Sequence, residues 1–226
     1  MGKRDQASNR PDPGTGNHGQ NRLHSKEDFV RFCHLLYASD LVCGAGGNLS
    51  MRLGRDVLVT PTGCSLRDVT AENAVTVTME GDVVAGETPT KDMDVHLGIL
   101  RSRPEINTVC HLHGAHIIAA TTLLEPGPES LPPLTPGFVY FAYPLAMIPF
   151  MVPGSEDCAR AVNMHFAGSE TRALMMQNHG LITIGANFQI ALNIAEEINE
   201  AARIWVLSRG KATSIPPDDL EKIKGL

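Results

Sequence analysis

The sequence contains few cysteines and no long apolar run. The five cysteines, at positions 33, 43, 64, 110 and 158, are scattered, and none forms a Cys-x-x-Cys pair. Neither a disulfide framework nor a zinc ribbon is therefore indicated. No apolar stretch approaches the roughly 20 residues that cross a bilayer, and residues 1–22 lack the apolar segment of a secretory signal. We therefore expect a protein of the reducing cytoplasm with no membrane partner.

The sequence also has fewer basic than acidic residues. Lys and Arg total 19 against 25 Asp and Glu, which gives a formal net charge of -6. No basic stripe is available to replace the counterions of phosphate groups, so we do not expect nucleic acid as a partner. The remaining composition, 42% apolar and 19% charged, is that of an ordinary globular protein. A chain of 226 residues is long enough for one substantial core.

The pattern of apolar residues predicts one domain between two tails. Residues 1–24 offer nothing to bury and are predicted to be a disordered tail, residues 25–210 form the domain, and residues 211–226 are a C-terminal tail. Helical spacing predicts helices at 29–39, after Pro89-Thr90, at 156–166 and at 188–208. Short apolar runs predict strands at 49–53, 57–60, 75–78, 83–84, 107–111, 173–176 and 181–184. This order predicts a single three-layer α/β/α domain with a central, mainly antiparallel sheet.

Three histidines are the most informative residues. His111 and His113 are two positions apart on a predicted strand, where side chains i and i+2 project from the same side. His179 lies before Gly180, at a break between two apolar strands where the backbone can turn. Asp92 lies in the first turn of the preceding helix and could fold back to the same point. Three imidazoles and a carboxylate suit zinc in an open catalytic site, and manganese or iron would tolerate the same set. The alternative is separate histidines with separate hydrogen bonds.

The other histidines carry less information. His96 lies one turn after Asp92, where a packing or supporting role is expected rather than direct ligation, and His116 is expected to start a following helix. The remaining four are predicted to be structural or solvated: His18, His24, His34 and His165.

Two glycine-containing loops, 44–48 and 60–63, offer backbone N–H groups that could approach an anion. Neither is a Walker loop or a dinucleotide fingerprint, and each could equally be an ordinary turn. Thr90 and Lys91 add a hydroxyl and a cation beside Asp92, which could hold a phosphate or carboxylate group. The alternative for Lys91 is an exposed residue in the first turn of a helix.

These motifs, in this order, resemble the class II aldolase/adducin family over residues 29–210. The matching pieces are Gly47-Asn48-Leu49-Ser50-Met51-Arg52, Thr60-Pro61-Thr62-Gly63, Pro89-Thr90-Lys91-Asp92, His96, Arg103-Pro104, His111-Leu112-His113, Asn178-His179-Gly180-Leu181, Ala191, Glu197 and Ala201. The family includes sugar-phosphate aldolases, a pentulose-phosphate 4-epimerase, a tetronate-phosphate decarboxylase and the non-enzymatic adducin heads.

The resemblance assigns roles position by position. It implies three metal ligands: His111, His113 and His179. It implies phosphate-binding positions at Asn48, Thr62, Gly63, Thr90 and Lys91, the last two standing where the aldolases commonly have serines. Asp92 takes the position of the aldolases' glutamate, a metal ligand and acid/base, and the aldolases' catalytic tyrosine falls near Phe138 or Tyr140.

The implied function is that of a lyase dependent on a divalent metal, zinc or another such as manganese. It would cleave a carbon–carbon bond of a small phosphorylated hydroxy-ketone by aldol chemistry through a metal-stabilised enediolate. Decarboxylation of a 3-oxo-tetronate phosphate ranks nearly equal. The epimerase ranks third, because residues 135–147 contain no acid and no tyrosine follows Tyr143. A non-catalytic interaction module comes last. The resemblance also implies a homotetramer with sites at subunit interfaces.

Overall fold

The computed structural model describes residues 25–226. The predicted disordered tail, residues 1–24, and with it His18 and His24, lie outside the described residues. The helices are α1 (Lys26–Ala38), α2 (Met93–Ser102), α3 (Ala115–Leu123), α4 (Pro136–Ala142), α5 (Glu156–Phe166), α6 (Phe188–Leu207) and α7 (Pro217–Lys224). The strands are β1 (Asn48–Leu53), β2 (Asp56–Val59), β3 (Val75–Val77), β4 (Val83–Ala85), β5 (Thr108–Leu112), β6 (Met147–Ile148), β7 (Ala173–Met176) and β8 (Gly180–Gly185).

Three helices begin at side-chain caps that the sequence displays. Ser25 accepts a hydrogen bond from the backbone N–H of Asp28, whose carboxylate in turn accepts one from the N–H of Ser25. Ser155 caps α5 by accepting from the N–H of Cys158, and Asn187 caps α6 by accepting from the N–H of Ile190. Such caps satisfy N–H groups that have no partner inside the helix, which fixes where each helix begins. Within residues 25–226, no helix has the length and apolar character needed to cross a membrane.

The eight strands found in residues 25–226 form one sheet in the order β4-β3-β2-β1-β5-β8-β7-β6. Every neighbouring pair is antiparallel except β6 and β7, so the prediction of a mainly antiparallel sheet is confirmed. In the pairing of β1 with β5, Asn48 lies opposite His111. This register brings the start of β1 to the histidine-bearing end of β5.

Helices cover both faces of the sheet, as expected for three layers. On one face, α1, α3, α4 and α6 pack on a core that includes Leu49, Met51, Cys110 and Leu112. On the other face, α2 and α5 pack on a core that includes Val57, Val109, Ile182 and Ile184. Because strand side chains alternate between faces, each central strand contributes to both cores.

The structure adds elements that the sequence pattern did not predict. Helix α4 begins at Pro136 after the capping residue Thr135, whose hydroxyl accepts from the N–H of Phe138. The segment predicted as a C-terminal tail contains α7, which contacts α4, and the N–H of Ile215 donates to the Pro133 carbonyl at 2.8 Å. A proline at the first helical position is favourable, since its missing N–H would have no partner there.

Candidate metal centre

The three predicted histidines come together at the end of β5. The Nε2 atom of His111 lies 3.0 Å from that of His113 and 3.2 Å from that of His179. The ligand atoms of all three lie within 4.8 Å of one another. His111 is 2% exposed, and the other two rings are partly exposed. The cluster therefore opens to solvent on one side.

Backbone hydrogen bonds and a tight turn position the His113 and His179 rings. His113 follows the last residue of β5, and its N–H donates to the Leu41 carbonyl at 3.0 Å. His179 is presented by a turn in which Asn178 adopts a left-handed φ of 56° and the His179 N–H donates to Met176.

Two glycines leave room for the His113 ring. A Cβ atom on Gly46 would lie 2.6 Å from Nδ1 of His113. A Cβ on Gly180 would lie 3.0 Å from Cδ2 of His113 and 2.2 Å from the Leu112 carbonyl oxygen. Any side chain at these positions would displace the ring or the strand backbone.

The imidazoles are held in the form that a metal requires. Burial lowers the pKa of His111 to about 3 and that of His113 to about 4, and burial also lowers the pKa of His179. All three rings are therefore neutral at pH 7. Nδ1 of His111 lies 3.3 Å from the Leu181 carbonyl, so Nδ1 carries the proton and the Nε2 lone pair faces the cluster.

The two spacings from His111 fit a bound divalent ion. Nitrogens about 2.1 Å from a tetrahedral ion lie about 3.4 Å apart, and an octahedral ion brings them to about 3.0 Å. The spacings from His111, 3.0 and 3.2 Å, fall in or close to that range. Neutral imidazoles whose lone pairs meet at one point repel each other unless a cation lies between them. The three histidines could therefore hold a divalent metal ion.

Asp92 lies beside the cluster. It is the residue from which α2 begins, and its Oδ2 atom is 3.8 Å from Nε2 of His111. The same oxygen accepts a hydrogen bond from Nδ2 of Asn48 at 2.7 Å. Burial acts to raise the pKa of Asp92, but His111 and the Asn48 hydrogen bond outweigh it and lower that pKa below its ordinary value. The residue is a carboxylate, as a ligand or proton acceptor must be.

Four of the five residues predicted to bind an anion lie on two joined loops, and the fifth, Asn48, is the first residue of β1. Pro61 and Pro89 form an isolated antiparallel bridge, flanked by hydrogen bonds from Thr62 N–H to the Thr88 carbonyl and from Thr90 N–H to the Thr60 carbonyl. Gly63 has a left-handed φ of +68°, and nothing lies within 4 Å of where its Cβ would be. Thr90 is 6% exposed, whereas the Lys91 side chain is exposed. The bridge places Thr62 opposite Thr88 and Thr90 opposite Thr60, so the two loops lie side by side.

Tyr140 is the predicted site residue that the structure leaves apart from the cluster. It lies on α4, in the layer opposite α2, and its ring contacts Phe141 edge-on with centroids 5.0 Å apart. Within residues 25–226, no hydrogen bond or ring contact joins Tyr140 to the three histidines. The other candidate position, Phe138, is fully buried in the core.

One supporting residue was not found from the sequence. Ser50 lies 2.7 Å from Nδ1 of His96, and Nε2 of His96 meets Oδ1 of Asn48. Ser50 lies within the Gly47-to-Arg52 motif, but only its position two residues after Asn48 on a strand could have indicated this contact. His96 lies where a supporting role was expected, and His116 lies in the first turn of α3. His34 contacts the Val69 carbonyl at 2.9 Å, a structural role.

Comparisons with known proteins agree with this fold. The model of the Class II Aldolase and Adducin N-terminal domain matches residues 27–206. The chain is 32% identical over 193 residues to the 3-oxo-tetronate 4-phosphate decarboxylase of Haemophilus influenzae, with 84% of this chain and 90% of that protein covered. It is 30% identical over 177 residues to the L-fuculose phosphate aldolase of Methanococcus maripaludis, with coverages of 78% and 93%.

A solved structure shows the same fold. YgbL from Klebsiella pneumoniae superimposes with a TM-score of 0.80 at 26% identity, covering 88% of this chain and 96% of that one. The protein therefore belongs to the class II aldolase and adducin N-terminal domain family. The prediction that it is an enzyme of the lyase class is confirmed by these relatives, which are named as aldolases and decarboxylases.

Proposed function

We propose that the protein is a divalent-metal-dependent carbon–carbon lyase that cleaves a small phosphorylated hydroxy-ketone by aldol chemistry. The observation that carries the proposal is the convergence of three neutral imidazoles with a carboxylate 3.8 Å from one of them. This donor set suits zinc, and it would also accept manganese. The aldolase and decarboxylase relatives support the reaction class.

The reaction needs a site for negative charge and a path for protons. Aldol cleavage breaks the bond between the carbon next to the carbonyl and the following carbon. The hydroxyl on the second carbon loses its proton as that carbon becomes an aldehyde, and the first carbon later gains a proton. A divalent metal, when bound by His111, His113 and His179, supplies the Lewis acidity that stabilises the charge on the substrate oxygens.

The protein's own groups would move the protons. Asp92 is an unprotonated carboxylate beside the histidines, so it is placed to accept the hydroxyl proton or to complete the metal site. Tyr140 is proposed to protonate the product. It lies on α4, in the layer opposite α2.

The joined loops would hold the anionic end of the substrate. Thr62, Gly63, Thr90 and Lys91 lie on these loops, and Lys91, whose side chain is exposed, immediately precedes Asp92 in the chain. A phosphate bound by Lys91 would be held by the residue next to the proposed acid/base group. Asn48 is proposed to contribute to the same end of the site through the side-chain N–H that it does not use on Asp92.

Decarboxylation of a 3-oxo-tetronate 4-phosphate is the second candidate. The relative at 32% identity carries that name. The chemistry is closely related, because loss of CO₂ from a 3-oxo acid leaves its electron pair beside the same carbonyl. The exposed Lys91 beside Asp92 would also suit a substrate with two anionic groups.

One experiment tests the proposal and separates its two candidates. Metal content per chain is measured first, and the protein is then incubated separately with L-fuculose 1-phosphate and with a 3-oxo-tetronate 4-phosphate. Aldehyde release from the first supports aldol cleavage, and CO₂ release from the second supports decarboxylation. A chelator should abolish either activity and added metal should restore it. A protein that binds no metal and converts neither substrate would contradict the proposal and favour a non-catalytic module.

We further propose a cytoplasmic homotetramer. The tetramer rests on the family resemblance, and the cytoplasmic location rests on the scattered cysteines, none of which forms a Cys-x-x-Cys pair. Light scattering on the purified protein measures the oligomeric state directly. A monomer at micromolar concentration would contradict it.

A further inference from the structure

One face of strand β1 carries three polar side chains that reach helix α2. Asn48, Ser50 and Arg52 occupy alternate positions and so project from the same side. They contact α2 at three positions spaced four residues apart: Asn48 meets Asp92, Ser50 meets His96, and Arg52 meets the Leu100 carbonyl. The Nε of Arg52 also donates to the Ile106 carbonyl at 2.8 Å.

The distance between successive contacts is nearly the same along the strand and along the helix. Two residues of a strand advance about 6.7 Å, and four residues of an α-helix advance about 6.0 Å. Each step along β1 therefore meets the next turn of α2. A slide of α2 along the strand would break all three contacts together, so β1 fixes the axial position of the helix and of Asp92 at its start.

Donor and acceptor roles in the hydrogen bonds between these side chains can be assigned in only one way. The Asp92 carboxylate can only accept, so the amide nitrogen of Asn48 faces it and the amide oxygen faces His96. Nε2 of His96 must then donate to that oxygen. Nδ1 is left as the acceptor, and the Ser50 hydroxyl donates to it at 2.7 Å. Each donor in the chain Ser50–His96–Asn48–Asp92 points toward the carboxylate.

This chain is buried, which makes its order obligatory. Ser50 and His96 have no exposed surface and Asn48 is 8% exposed. Burial lowers the pKa of His96 to about 4, so its ring is neutral and has one donor and one acceptor. A buried amide that lost either partner would leave a polar group unsatisfied, at a cost of about 1–3 kcal/mol. Reversing Asn48 would place its carbonyl oxygen against the Asp92 carboxylate.

We propose that His96 is a positioning residue: held by Ser50 in a single tautomer, it fixes the amide of Asn48, which in turn fixes the Asp92 carboxylate facing His111. The consequence for metal binding rests on the proposed function, whereas the hydrogen-bond order does not. Both polar atoms of Asn48 are committed to this chain, so its principal role is to orient Asp92.

Cobalt(II) binding by the metal-stripped protein tests the proposal. His96→Leu fills a similar volume but cannot hydrogen-bond, and we expect its cobalt affinity to fall about 10- to 100-fold, the usual effect of losing a residue that orients a ligand. His96→Gln retains a donor at the same distance from the backbone and should stay within about 3-fold of the unmodified protein. Equal cobalt affinity for His96→Leu and the unmodified protein would overturn the proposal.

Leu97→Ala is the matched control for a merely structural effect. Leu97 is the neighbouring residue on α2, is 1% exposed and takes no part in the hydrogen-bond chain. Its truncation should lower the melting temperature while leaving cobalt affinity unchanged. If Leu97→Ala and His96→Leu weaken cobalt binding equally, His96 acts only through packing.

Nuclear magnetic resonance of the metal-free protein, labelled with ¹⁵N-histidine, provides a readout that needs no metal. The His96 signals, assigned by their loss in His96→Gln, should show a proton on Nε2 and a hydrogen-bonded, unprotonated Nδ1. Ser50→Ala should shift the Nδ1 resonance toward that of a free acceptor. A proton on Nδ1 would refute the hydrogen-bond order. Failure of the unmodified protein to bind cobalt would instead count against the proposed function.

Discussion

The two faces of strand β1 differ in what they are made of and in what they do. Leu49 and Met51 point into the apolar core on one side and are fully buried. Asn48 and Ser50 are almost as buried on the other side, yet they are polar and hydrogen-bonded to α2. A single strand thus contributes packing to one layer and an ordered polar chain to the other.

The same division continues onto the neighbouring strand. His111 lies opposite Asn48 in the pairing of β5 with β1, and its Nε2 atom is 3.8 Å from Asp92 at the start of α2. Cys110 and Leu112, on either side of it, belong to the apolar core of the opposite layer. We therefore expect substitutions on the two faces to have different effects. Those on the apolar face should change stability, and those on the polar face should change metal binding and turnover.

The largest expected effect is that of His113→Ala. Loss of one of three imidazoles should abolish stoichiometric metal binding and lower turnover by a factor of about 10³ or more, since the metal contributes several kcal/mol of charge stabilisation. Metal analysis and turnover are measured on the same preparation. The ring is partly exposed, so the melting temperature should change little. A variant that keeps full metal occupancy would defeat the assignment of this residue.

Leu49→Ala tests the opposite face. Leu49 is fully buried in the apolar core, and its truncation should lower the free energy of unfolding by about 2–5 kcal/mol. Denaturant unfolding measures the loss, and metal content per folded chain should stay the same. A large loss of metal with little loss of stability would show that the two faces are not separable.

Gly46→Ala tests whether metal binding depends on the space left for the His113 ring. The added methyl group would lie 2.6 Å from Nδ1 of His113, so the ring must move, and metal affinity should fall about 10- to 100-fold. Gly44→Ala in the same loop is the control, because its Cβ meets nothing within 4 Å although its φ is +59°. It should cost about 1 kcal/mol of stability through backbone strain and leave metal affinity unchanged. Calorimetric titration with zinc distinguishes the two results.

The smallest expected effect is that of Thr108→Val. Thr108 is fully buried on β5, and alternation places its hydroxyl on the apolar face with Cys110, where its Oγ1 has no hydrogen-bond partner within residues 25–226. Removing an unsatisfied hydroxyl should stabilise the protein by about 1 kcal/mol. Thermal unfolding measures the gain. A destabilised variant would mean that this face also depends on a polar contact.

Local pattern was sufficient to predict most of the fold. Apolar spacing and capping residues predicted α1, α5 and α6, and alternation predicted seven of the strands to within about two residues. Helix α4 was missed because it has only seven residues and follows a proline-rich loop. Strand order was beyond prediction, since the neighbours of β5 are β1 and β8, which are far from it in sequence.

The site was predictable where its residues are close in sequence or match a motif. His111 and His113 are two residues apart, and His179 was indicated by the strand break before Gly180 and then by the resemblance. The chain from Ser50 to Asp92 could not be read in this way, because Ser50 and His96 are 46 residues apart and Asn48 and Asp92 are 44 apart. Their contacts exist only because β1 and α2 pack side by side.

The bridge between Pro61 and Pro89 has a consequence for which substrates fit. It ties the loop of Thr62 to the loop of Lys91, and the second loop continues directly into Asp92. If the proposed anion site and the proposed metal site are used, the covalent chain and the paired backbone would hold the anion and the reacting carbonyl at a set separation. The enzyme would select its substrate by the number of carbons between those two groups, and would tolerate variation in the part that leaves.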